Sequence, residues 1–423
     1  MMNKKASRRI VLQAALAAVT LLGCHPLSAI GQSQSAALEL RRGVSTFPWF
    51  SLTREYPAPR TDYGWPPFQE TRAVPTSDDL RRLAAAGLDF IRIPVDPGPF
   101  LAAQPTQRQE LLDMLMDAVN SAIAAGLTVI VNIHVNGGTH FWNPDRLLSG
   151  LQAPAFSQYQ AFVGEVAGRL ATVRSDKIAF EPVNEPQQAC ASDVWFSIQR
   201  ELLSTARNAA PDLTLVATGG CGSMVTGLAA LDPAPLQVFE PILYTFHFYE
   251  PYLFSHQGAP WMVEPVYRSL NAVPWPASAG TLDQTLAAVR TRMEQDQQTS
   301  PEQKQAAYQE TVKVLKVYFD AQPDKRFIDG YLDIISTWGR QHGVAASRIL
   351  MGEFGALRTD ARYVAAPLAD RARYISDVRR SAEERGFSWA FWNMFDGMGM
   401  VDDTTRAFDP AIVSALGLTM PPE

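Results

Sequence analysis

The sequence predicts an α/β protein of the (β/α)8 type, an eight-stranded parallel barrel. Three observations carry that reading. Eight short apolar runs recur along the chain, and amphipathic helical stretches separate most of them. The residues that carry chemistry stand where those runs end, and in parallel α/β proteins that is where side chains meet a ligand. An open doubly wound sheet shares the local pattern. No glycine-rich dinucleotide turn follows the first strand, however, which argues against its cofactor-binding form.

The elements follow in order. Residues 1–30 read as an export signal. Lys4, Lys5, Arg8 and Arg9 form its basic part and residues 10–22 its apolar part, too short for a membrane span. Ser7-Arg8-Arg9-Ile10-Val11-Leu12 resembles a twin-arginine signal. Leu21-Leu22-Gly23-Cys24 resembles a lipoprotein box, which would put a lipid anchor at Cys24; ordinary cleavage after residues 27–29 is favoured slightly over it. Both routes make the protein periplasmic or extracellular. A linker over 31–40 leads into one domain, 41–423, with no transmembrane span in the mature chain, expected to act as a monomer.

Strand one is read at 40–45. The stretch to residue 74 has no helical period and is rich in proline and aromatics, so it is read as a long loop at the ligand end. A helix opens at Ser77-Asp78-Asp79 with Ser77 as its cap and stops at Gly87. Strands are expected at 90–94, 127–134, 177–180, 213–217, 242–247, 349–352 and 387–392. Helices are expected at 109–125, 156–170, 195–210, 327–341 and 369–385. Residues 248–324 are a loop insertion after strand six with helical stretches at 282–297 and 301–319, not a separate domain, because no linker isolates them.

Composition narrows the function. The chain has 423 residues, 47% of them hydrophobic, and a net charge of −6, so a large core is available. No basic stripe lies beyond the N-terminus, which excludes nucleic acid as a partner. No Cys/His spacing suggests a zinc site, and no cofactor is implied. Beyond the signal only Cys190 and Cys221 remain, just past strands four and five. Those loops are neighbours in a barrel, and an oxidising destination permits a disulfide between them.

The strand ends supply Arg92, His134, Asn184 with Glu185, His247 with Tyr249, Glu353 and Trp392. Glu185 and Glu353 each follow an apolar run, where an unpaired carboxylate is costly, so both are read as functional. A glycosidic bond breaks through a transition state with positive charge on the sugar. That needs one anionic carboxylate and one carboxyl able to protonate the leaving oxygen. Asn184 suits the sugar 2-hydroxyl, and Tyr249 or Arg92 can donate to the ionised carboxylate. His134 and His247 suit hydroxyls, and Trp392 offers a flat floor for a sugar ring.

At these residues the chain resembles glycoside hydrolase family five, the cellulase-like barrel glycosidases. The carriers are Ile91-Arg92-Ile93-Pro94, Phe180-Glu181-Pro182-Val183-Asn184-Glu185-Pro186, Phe246-His247-Phe248-Tyr249, Gly352-Glu353-Phe354-Gly355 and Phe391-Trp392. The resemblance implies Glu185 as acid/base and Glu353 as nucleophile of a retaining enzyme acting on a β-linked polysaccharide or oligosaccharide, by default a β-1,4-glucan. Mannan, xyloglucan and bacterial exopolysaccharide stay open as substrates. The family pattern has an aliphatic residue where Pro182 stands, and an aspartate where Asn132 precedes His134, which puts a charged partner for that histidine in doubt. Two other classes compete: a metal-dependent barrel hydrolase using His134, His247 and a glutamate, and a non-catalytic sugar-binding barrel. The first lacks paired histidines on strand one, and retention of both glutamates argues against the second.

Overall fold

Eight parallel strands close on themselves in sequence order, each hydrogen-bonded to the next and the last to the first. The computed structural model describes residues 38, 40–68 and 73–422, so the predicted signal and most of the linker lie outside the described residues. The strands are β1 (Arg42–Ser45), β2 (Phe90–Val95), β3 (Thr128–Ile133), β4 (Ile178–Glu181), β5 (Thr214–Thr218), β6 (Ile242–Phe248), β7 (Ile349–Phe354) and β8 (Ser388–Phe391). All but the first residue of β1 are buried, because the barrel interior covers one face and the helix ring the other. That is why the runs read as continuous apolar segments and not as alternation.

The expected helices are present with ends shifted by a few residues. The helix Ser77–Ala86 is capped by Thr76, not by Ser77. Asp79 explains the difference: its carboxylate accepts from the Thr76 backbone N–H while Thr76 accepts from the Asp79 N–H, a reciprocal capping box. The insertion folds as a set of helices, including Leu282–Gln295 and Pro301–Ala321. It is anchored to the barrel by Trp275, which is fully buried against Phe254 and Tyr374 and donates to Asp377.

Two strand details shape the ligand end. β4 stops at Glu181, so Glu185 does not close that strand as the sequence suggested but sits on the loop after it. The pairing of β6 with β7 slips one residue between Phe246 and His247, which brings His247 opposite Glu353. Gly352 makes that approach feasible, since a Cβ there would lie 2.4 Å from Thr245 Oγ1 and 3.2 Å from His247 Nε2.

Candidate active site

The strand ends converge on Arg92. Its guanidinium lies wholly inside the barrel and spends its N–H groups on three partners. Nε and Nη2 donate to the two oxygens of Glu181 at 2.8 and 3.0 Å, a bidentate pair. Nη1 donates to Glu353 Oε1 at 2.8 Å, and Nη2 also donates to Asn184 Oδ1 at 2.7 Å. Burial works against the cation, but the two glutamates outweigh it and the group stays charged.

Glu353, within β7, is therefore fixed from one side by Arg92. From the other side the Tyr249 hydroxyl donates to its second oxygen at 3.0 Å. Burial and the glutamate charges hold the Tyr249 proton well above the usual phenol range, so it remains a donor. Glu185 has one polar partner within the mouth, His247, whose Nδ1 lies 2.8 Å from Oε1. The same Nδ1 is 3.6 Å from Glu353 Oε2, so the imidazole bridges the two carboxylates. One oxygen of each glutamate and a His247 nitrogen lie within 4.8 Å of one another, and among the described residues they form the one group of three side chains able to hold a metal. The Glu185 side chain is 36% exposed against 5% for Glu353, so it faces the cleft.

The electrostatics of this pair divide. Burial raises the Glu185 pKa, but the hydrogen bond and charge of His247 more than cancel it, leaving it below the ordinary range. For Glu353 burial raises the pKa and the charges of His247 and Arg92 only partly oppose it. His247 is depressed by burial and lifted further by Glu353 and Glu185, ending above its ordinary value. Glu185, His247 and Glu353 therefore titrate as one interacting set, not as three independent groups.

The remaining predicted residues surround this set. His134 follows β3 and stacks on Trp392, ring centroids 5.7 Å apart, and its Nε2 is 3.4 Å from Asn184 Nδ2. Burial and the Arg92 charge press its pKa down to about 3, so it is neutral. Among the described residues Asn132 has no partner for either polar side-chain atom and does not reach His134, whose Nδ1 is also without one. Trp392 lies between His134 and Phe47, the latter 5.0 Å away, and its peptide bond to Asn393 is cis. Beside Glu185 and Asn184 an open cleft of about 580 Å³ runs out between the loops after β3 and β4, lined by Asn143, Asp145, Gln187 and Gln188 among others. Cys190 and Cys221 are bonded, with Cα atoms 4.7 Å apart.

All eight predicted cleft residues therefore meet at one mouth. Sequence reasoning missed Glu181 as a member of the site. The signal was present, because a carboxylate closing a buried strand carries the same cost that singled out Glu185 and Glu353.

A family model for cellulase, glycosyl hydrolase family 5, matches residues 55–397. Among curated proteins, cellodextrinase A of Ruminococcus flavefaciens is 22% identical over 44% of this chain and 54% of its own length. Endoglucanase 3 of Fibrobacter succinogenes is 20% identical over 77% of this chain and 47% of its own length. The chain thus spans about half the length of these curated relatives. Among solved structures, the cellulose synthase subunit Z of Clostridioides difficile aligns over 89% of this chain and 99% of that one, with a TM-score of 0.63 at 20% identity. An endoglucanase of Thermotoga maritima solved with mannotriose aligns over 89% and 97%, with a TM-score of 0.61 at 20% identity.

Proposed function

The chain belongs to the cellulase family, glycosyl hydrolase family 5, and on that premise we propose that it is a retaining glycoside hydrolase that cuts a β-linked polysaccharide, a β-1,4-glucan by preference, through double displacement. The observation that carries the reading is the placement of two carboxylates within 4.8 Å of each other with unequal surroundings. That separation suits direct attack and leaves no room for the intervening water an inverting enzyme needs.

Glu353 is the nucleophile. Two donors, Arg92 and Tyr249, are aimed at its oxygens, and donors select the ionised form. Burial still outweighs those donors and lifts the Glu353 pKa, whereas the hydrogen bond and charge of His247 bring Glu185 below the ordinary range. We assign the charge to Glu353 because Arg92 and Tyr249 both donate to it, while Glu185 meets only the titratable His247, and the acidic proton then belongs to the Glu185–His247 pair. Glu185 then donates to the leaving oxygen as Glu353 attacks the anomeric carbon. After departure of the leaving group Glu185 takes a proton from water, and the water displaces Glu353. Asn184, oriented by Arg92, holds the 2-hydroxyl, and Trp392 lies under the ring.

A β-glucan is favoured because the curated relatives are named endoglucanase and cellodextrinase. The mannotriose complex of the Thermotoga relative keeps a mannan as the second reading. Arg8-Arg9 and the apolar run after them support export, and fractionation of cells producing the full chain tests it. For the mechanism, Glu353→Gln should abolish turnover. Glu185→Gly should slow poor leaving groups by about 10²–10⁴ and activated aryl glycosides far less, with azide restoring turnover as the β-glycosyl azide. Proton NMR should show the β anomer first; an α product would sink the retaining assignment. Reducing-sugar release across a panel of glucans and mannans chooses the substrate.

A further inference from the structure

We propose that the Cys190–Cys221 disulfide positions Glu185 for proton transfer, so that opening it costs the protein its acid/base function before its fold. The inference rests on the reading of Glu185 as the acid/base. Glu185 is not on a strand, and its backbone is held at a positive φ of 41°, a conformation that an L side chain resists. Upstream the loop is fixed by the Asn184 N–H donating to Ile133 O at 2.9 Å.

Downstream the support comes from one short segment, 221–224, after β5. Cys221 N–H donates to Gln188 O at 2.7 Å and Gly222 N–H to Pro186 O at 2.8 Å. The same segment holds the proton partner of Glu185. His247 N–H donates to Ser223 O at 2.7 Å, and Met224 pairs with His247 in a parallel bridge. One stretch of chain therefore sets the positions of both Glu185 and His247, whose contact is the acid/base pair. That stretch is itself strained at Cys221 and Ser223, two non-glycine residues with positive φ of 55° and 57° on either side of Gly222.

At Gly220 a Cβ would lie 2.3 Å from Ala189 O, so the two loops meet backbone against backbone. Register along such a contact is kept by hydrogen bonds and by the covalent link. Both sulfurs belong to partly exposed residues, within reach of a reductant.

The test compares wild type, Cys190→Ser/Cys221→Ser and Glu185→Gly on two substrates, an unactivated cello-oligosaccharide and a 2,4-dinitrophenyl β-glycoside. kcat/KM reports the first displacement, which needs an acid only for the unactivated bond. The cysteine variant should lose about tenfold or more on the oligosaccharide while its dinitrophenyl value stays within about twofold, and its kcat/KM–pH profile on the oligosaccharide should shift. Wild type treated with dithiothreitol, which leaves two cysteine thiols and the cyclic oxidised reagent, should match it, and the variant should not respond. Equal loss on both substrates, or no loss, overturns the proposal. If Glu185→Gly itself fails to discriminate the substrates, the acid/base assignment falls and this inference with it; if only the cysteine variant fails to discriminate, this inference falls alone.

Discussion

The two ends of the barrel interior are built on the same strands and have opposite chemistry. At the N-terminal end Phe90, Ile130, Ala179, Val216, Leu243, Leu350 and Ala390 form one apolar cluster, with Leu38 and Leu40 packed into it. Two residues further along those strands stand Arg92, Asn132, Glu181, Thr218, Thr245, Gly352 and Trp392. A strand repeats its facing every two residues, so the inward face changes from hydrocarbon to charge and amide within one step of about 7 Å. The lower layer needs no partners. The upper one contains a fully buried cation between two carboxylates, and it leaves Ser45 Oγ, both polar atoms of Asn132, His247 Nε2 and Asn393 Oδ1 without a partner among the described residues. The comparison teaches that stability and chemistry are separated along the barrel axis: the lower layer holds the strands together while the upper layer bears the desolvation of a reactive site.

The largest effect should come from breaking the upper layer at its centre. Arg92→Met leaves Glu181 and Glu353 buried without their cation, which costs about 3–5 kcal/mol. It also removes a donor from the nucleophile, so kcat/KM should fall by about 10²–10³. Urea denaturation and steady-state kinetics on one preparation read both losses together. A variant as stable as wild type would show that Arg92 is not what compensates the two carboxylates.

The matching change in the lower layer should affect stability alone. Ile130 is fully buried in the apolar cluster, two residues before Asn132 on β3. Ile130→Ala should lose about 2–5 kcal/mol while kcat at 25 °C stays within about twofold. A kcat loss as large as that of Arg92→Met would mean that the two layers are mechanically coupled and that the separation is false.

This division also decided what the sequence revealed. Arg92, Glu185, His247 and Glu353 stood out because a charge after an apolar run contradicts its surroundings. Glu181 has the same signature, but its role depends on Arg92 reaching across β3, and that register is fixed only when β2, β3 and β4 pair. The order of strands and helices was legible because all the strands are buried on both faces. Their exact ends were not, since a cap such as Thr76–Asp79 competes with an adjacent serine that reads equally well. The left-handed turn at Cys221–Ser223 was illegible for a different reason: two of its three residues are not glycine, and tertiary contacts impose the conformation.

Acid titration should reveal the histidines that burial keeps neutral, one beside Arg92 and one in the insertion. His134 is pressed down to about 3 by burial and the Arg92 charge, and burial takes His256 in the insertion down to about 4. An unfolded histidine titrates near 6.5, so between that pH and these values the unfolded chain binds protons that the folded chain does not. Stability from these groups is therefore complete above about pH 6.5 and is lost as pH falls, with a slope of at most about 1.4 kcal/mol per pH unit for each group. Urea midpoints from pH 7 to 4 measure the slope. His256→Gln should flatten it, and an unchanged slope would remove that histidine from the account.

The smallest effect separates the polar groups that the site uses from those it merely contains. Asn132 lies between Pro94 and Glu181 in the strand register, fully buried, with neither its oxygen nor its nitrogen bonded to any of the described residues. A buried amide without partners costs about 1–3 kcal/mol relative to an apolar side chain that fits. Asn132→Val removes that cost but leaves a slightly different volume, and repacking of such a swap costs about as much as is regained. The expected change in stability is therefore under about 1 kcal/mol, with kcat/KM within about twofold of wild type. A large loss of activity with unchanged stability would give Asn132 a role in orienting His134 that its free-protein contacts do not express. A large loss of stability would mean that the amide is satisfied after all. Only the near-neutral result leaves the upper layer as drawn, with Arg92, Glu181, Glu185, His247 and Glu353 as its working members and Asn132 as a polar group that the chemistry does not use.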